Sequence, residues 1–145
     1  MRKELYNALI EALKTVDDGA IKHIDLWNEN VYFIDEETAF DMPAVFVEFG
    51  EVTWQPLQGR SQARGTGTFS LHVVTEWNGS AAAGSTEMES LLDTLDFSNR
   101  IHKAITGLRG EAFGSINLLK TLTNHNHTEI MENIETYSVK FLMEV

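Results

Sequence analysis

Along residues 135–145 every second side chain is apolar: Tyr137, Val139, Phe141, Met143 and Val145, with Thr136, Ser138, Lys140 and Glu144 among the residues between them. Residues two apart on an extended chain share a face, whereas a helix scatters them around its circumference. This stretch is therefore a strand with one buried and one wet side. Residues 67–77 repeat the pattern: Phe69, Leu71, Val73 and Trp77 fall on one side, and Ser70, His72 and Glu76 on the other. Residues 44–54, "AVFVEFGEVTW", alternate more loosely. The adjacent Phe46 and Val47 predict burial on both faces there. Residues 116–128 form the strand before the last one, joined to it by a turn over 129–133. A short strand is expected at 31–34.

Two stretches follow a helical period instead. Leu5, Ala8, Leu9, Ala12, Leu13 and Val16 predict an amphipathic helix over 2–16, stopped by Asp17, Asp18 and Gly19. A second helix begins near "STEME". Thr86 and Glu89 have capping-box spacing, and an apolar stripe of Met88, Leu91, Leu92, Leu95, Ile101, Ala104, Ile105 and Leu108 follows. Residues 96–98 are expected to bend it. The element order gives an α+β class: a mainly antiparallel sheet of about four long strands, with two helices packed on one face and a long protruding β-hairpin loop over 55–67. At 145 residues the chain reads as a single domain, 1–145.

Composition narrows function mainly by exclusion. There are no cysteines, so no disulfide framework, thiolate zinc site or cysteine nucleophile. Polar residues interrupt the apolar start, which excludes a signal peptide, and no apolar run reaches membrane-spanning length. The 22 acids against 11 bases leave a net charge of -11. Such a surface repels the phosphates that a duplex-binding protein must neutralise.

The stretch "TLTNHNHTEI" places His125, His127 and Glu129 two apart on one side of a strand, beside Thr121 and Thr123. Two imidazoles and a carboxylate could begin a metal site, but a site needs at least a third assured protein ligand. Ile116, Leu118 and Leu122 have the opposite parity and are assigned to the core, so the histidines read as a solvated face without metal. No nucleophile or acid/base motif stands out elsewhere, and no cofactor is expected. The chain reads as a non-enzyme.

The segment "QPLQGRSQARGTG" carries the candidate site. No acid occurs from Val52 to Val74, yet Arg60 and Arg64 lie there, after Trp54 and Leu57. Trp and Arg are enriched where protein surfaces meet. Trp54, Leu57, Arg60 and Arg64 are therefore expected to form an arm with an exposed tip that meets the acidic surface of a neighbouring subunit.

An amphipathic helix leads into "PAVFVEFGEVTWQPLQGRSQARGTGTFSLHVVTEW", a small-residue loop, the helix "MESLLDTLDFSNRIHKAI" and strands ending "ETYSVKFLMEV". Over nearly its whole length this layout resembles the tail-completion, or tail-terminator, proteins of long-tailed bacteriophages and prophages. The resemblance implies a structural subunit that forms a ring, commonly a hexamer, capping the tail tube where it joins the head. Its partners would be itself, tail-tube proteins and neck proteins, with DNA only as passing cargo and no membrane. It implies residence in the bacterial cytoplasm during assembly and in the virion afterwards. The alternatives are a metal-dependent hydrolase or nuclease using His125, His127 and Glu129, and a small adaptor or binding module.

Overall fold

The computed structural model describes residues 1–28, 40–59, 61–77, 79–124 and 129–144. In chain order its elements are helix α1 (Arg2–Leu13), a 3-10 turn (Val16–Asp18), strands β1 (His23–Leu26), β2 (Ala44–Pro56) and β3 (Gln62–Glu76), helix α2 (Met88–Ile105), and strands β4 (Phe113–Asn124) and β5 (Ile130–Glu144).

The strands form one five-stranded sheet in the order β1-β2-β3-β5-β4. The four long strands are antiparallel to their neighbours, as expected, but β1 pairs in parallel with β2, so the sheet is mixed. Periodicity did not reveal β1 because "HIDL" is four residues without alternation. The strand expected at 31–34 lies outside the described residues. β4 begins at Phe113 rather than at 116, residues 125–128 of that expected strand lie outside the described residues, and 130–133, expected within a turn, are strand in β5.

Both helices cover one face of the sheet. Leu5, Leu9 and Leu13 of α1, spaced four apart, are fully buried. They share a core with Phe97, Ile101 and Ile105 of α2 and with Val45, Val47, Phe69, Leu71, Val73, Tyr137, Val139 and Phe141 of the sheet. Each large aliphatic side chain buried this way contributes about 1.5–3 kcal/mol. Past α1 the chain reverses through Asp17 and Asp18, both at positive φ, and Gly19 at φ 87°. Glycine fits that last position without steric cost. The Glu4 carboxylate accepts hydrogen bonds from the backbone N–H of Glu111 (2.7 Å) and Ala112 (3.2 Å), which ties α1 to the entry of β4.

Two expectations for α2 change. The helix starts at Met88 with Glu87 as its N-cap and no side-chain cap bond. Thr86 is therefore one residue too early and Glu89 one position short for a capping box. The helix also runs unbroken through residues 96–98. This sets the buried stripe at Leu91, Phe97, Ile101 and Ile105, while Leu92 and Leu95 are exposed. Arg100 fastens α2 to the 3-10 turn through Asp17 (2.9 Å) and also pairs with Asp93 (3.2 Å).

The reverse face of the sheet is not simply wet. Ala44, Phe46, Val74 and Ile130 form a second buried cluster, with Trp27, Phe40 and Met42 packed against it. Burial of both Phe46 and Val47 is as the sequence predicts.

Candidate functional site

The β2–β3 hairpin is strand almost to its tip. Pairing continues to Pro56 opposite Ala63, and the Leu57 N–H donates to the Gln62 carbonyl at 3.0 Å. On its other side β3 stays paired with β5 as far as Gln62 opposite Glu144. The expected protruding loop over 55–67 is therefore mostly a three-stranded sheet end, with only a short turn free of the ladder.

Within it, a bulge between Phe49 and Val52 puts Val52 and Trp54 on the helix side. Trp54 crosses Gly65 and approaches the Phe141 ring, with centroids 6.4 Å apart. A Cβ on Gly65 would lie 2.8 Å from Trp54 Cζ3, and one on Gly67 would lie 2.8 Å from Val52 Cγ2. The glycines of "GRSQARGTG" thus make room for large side chains on the adjacent strand. Trp54 is half-buried against the core instead of sitting at an exposed tip. Gly65→Ala is expected to push Trp54 off its seat and cost about 1–3 kcal/mol, the usual range for overpacking. Chemical denaturation checks it, and the altered fluorescence of Trp54 gives a second signal.

Of the four candidate interface residues, Leu57 opens the turn and is half-buried, and Arg64 is exposed in β3, opposite Gln55 and Leu142. Arg60 lies outside the described residues. Arg64 projects from the reverse face, as does Lys140, whose Nζ donates to Thr66 Oγ1 at 3.1 Å. The two cations border a shallow cleft of about 470 Å³, with Glu111, Phe113 and Leu142 on its other sides.

His125 and His127 also lie outside the described residues, and Glu129 is an exposed turn residue. Among the described residues no group of three or more histidine or acidic side chains could hold a metal ion. The parity behind the expected histidine face does change. A bulge between Leu118 and Lys120 inverts the alternation, so Leu118 pairs with Tyr137 on the helix side while Leu122 pairs with Ile134 on the reverse side. Both leucines are exposed, at 42% and 59%, and only Ile116 of the three reaches the core. Thr121 and Thr123 then fall on the helix side, where their hydroxyls donate to Glu135 and to the Asn133 side chain.

Two buried polar clusters flank the central strands. On the reverse face His72 is held at both ring nitrogens: Nδ1 is 2.7 Å from Glu132 and Nε2 is 2.6 Å from Glu48. The Trp27 ring lies flat on it, with centroids 3.6 Å apart and planes 2° from parallel. Asn124 Nδ2 donates to the second oxygen of Glu132 at 2.7 Å. On the helix face His102 meets the Tyr137 hydroxyl through Nδ1, and its Nε2 is 3.6 Å from Glu135. Burial, reinforced by Glu135, pushes the Tyr137 phenol far above its ordinary range. Burial also lowers the His102 pKa, with Glu135 opposing. With the His102 proton on Nε2, toward Glu135, Nδ1 is the acceptor for the Tyr137 hydroxyl. Both clusters lie beneath packed side chains and have the character of fastenings between elements. Periodicity could not reveal them, because their members come from separate elements, and His72 and Glu132 on a strand's polar side read as solvated.

No helix of the described residues is long and apolar enough to cross a membrane. No family model matches the sequence, and no curated protein does. Among solved structures, a chain from the virion of a native gene transfer agent (GTA) particle is similar in fold, with a TM-score of 0.58 at 10% identity, covering 96% of this chain and 95% of that one.

Proposed function

We infer that this chain is a structural subunit of a phage or phage-like particle, and within it a tail-completion subunit that forms a ring where the tail tube joins the head. The observation that carries the reading is a likeness to a virion component extending over nearly the full length of both chains. Shared architecture end to end favours a shared kind of role more than a common sheet motif would, although fold alone does not fix function. The resemblance in element order to tail-completion proteins supplies the finer part. The net charge of -11 supports it too, because a like-charged ring does not hold passing DNA by its phosphates. On this reading the chain is not an enzyme, and its partners are further copies of itself together with tail-tube and neck proteins.

The reading predicts that genes beside this one encode tail and capsid proteins. Deleting this gene is expected to yield DNA-filled heads and separate tails, with few joined particles in electron micrographs, and supplying the gene in trans restores joining. Heads joined to tails at the normal frequency in the deletion strain would overturn it.

A further inference from the structure

The two edges of the sheet differ in chemistry. β4 pairs only with β5 among the described residues, so its outer edge is open. It is long, at 12 residues, with no proline and no acid. Leu118, Leu119 and Leu122 project from it at 42%, 57% and 59% exposure. Its single charged side chain is Lys120. Edges of this kind self-associate or aggregate unless they are blunted or covered.

The opposite edge among the described residues, β1, presents exposed Asp25 and Leu26, the latter at 46%. It belongs to the acidic end of the chain, where residues 1–51 hold 12 acids and 4 bases.

We propose that the β4 edge is covered by the β1 edge of a second copy of this chain, in a head-to-tail contact that sets Lys120 against Asp25 on the reverse face and Leu118 against Leu26 on the helix face. Charge selects this arrangement over its alternatives. Two β4 edges facing each other would oppose Lys120 to Lys120, and two β1 edges would oppose Asp25 to Asp25. Only the unlike pair is complementary in both charge and apolar surface. A contact between different surfaces repeats from copy to copy, so it closes into a ring or runs on as a filament. Backbone pairing between the edges supplies affinity, and the alternating side chains fix the register. The proposal names the self-contact within the assembly inferred above and rests on that reading for its biological setting. Its test is of self-association alone.

The absence of cysteine makes cross-linking a clean readout. A chain carrying both Leu26→Cys and Leu118→Cys is expected to give a ladder of disulfide-linked species beyond the dimer under mild oxidation. Either single variant is expected to stay monomeric on a non-reducing gel. In a second measurement, Lys120→Glu or Asp25→Lys alone is expected to weaken self-association about fivefold, as for loss of an exposed ion pair. An equimolar mixture of the two restores it, because alternating copies always present a complementary pair. These four substitutions are at exposed positions, and circular dichroism verifies that each variant folds. Dimers from Leu118→Cys alone would show edge-to-like-edge pairing and overturn the proposal. So would a parent chain that stays monomeric at high concentration, or one that self-associates while the double-cysteine chain gives no ladder. A ring built through another surface would overturn the contact and leave the tail-completion reading intact.

Discussion

Urea unfolding of His72→Ala is expected to show a loss of about 3–5 kcal/mol, the range for truncating a large buried ring together with the hydrogen bonds it makes. The carboxylate that suffers is Glu132, only 2% exposed and 2.7 Å from Nδ1. Glu48 has a half-exposed side chain and can regain water when Nε2 disappears. Trp27 also loses the ring on which it stacks, and with it part of what holds the chain after β1 against the reverse face. Pairing His72→Ala with Glu132→Leu is expected to recover much of the loss, because an apolar side chain needs no partner there. A double variant no more stable than His72→Ala alone would show that the lost ring contact, and not the lost hydrogen bond to Glu132, sets the cost.

Tyr137→Ala is expected to be about as damaging, at roughly 3–5 kcal/mol for truncating a fully buried aromatic ring. The ring stacks on Phe69 with centroids 5.1 Å apart and lies within the core shared by both helices. Tyr137→Phe keeps that packing and removes only the hydroxyl that meets His102, so its cost is expected near 1–3 kcal/mol. Chemical denaturation of the pair separates the two contributions. Equal losses would mean that the His102 contact, and not the ring, is the larger part.

The long strands were legible because their period of two is sustained and their apolar residues are β-branched or aromatic. Phe69, Leu71, Val73, Tyr137, Val139 and Phe141 all lie on the face that parity gave them. Three features escaped for separate physical reasons. β1 is too short to show a period and is held by its neighbour Ala44–Val47 rather than by its own pattern. Leu118 and Leu122 were placed in the core by parity, but one extra residue at the bulge puts them on opposite faces of an edge. The expected arm was misjudged because Gly65 and Gly67 read as flexibility, whereas each lies beneath a side chain of the next strand. As for the candidate site, acid-free composition is what singled out residues 52–74. It could not tell that Trp54 would turn inward while Arg64 remained outside, since that depends on the bulge at residues 49–52. The His72 and His102 clusters depend on pairings across 60 and 35 residues, and local pattern carries no information about them.

The position of β5 between β3 and β4 bears on how the sheet can be made. β5 is the last strand in chain order, yet it joins β3 to β4, and its contacts with β3 bridge separations such as that between Ser70 and Thr136. Until it emerges during synthesis, β3 must wait with one side open and β4 has no strand to join. Such nonlocal closure is slow, and the waiting edges are vulnerable to other chains. Gly65 and Gly67 lie on that waiting edge. Residues with low strand preference there discourage premature pairing, and become favourable only once Trp54 and Phe141 close over them.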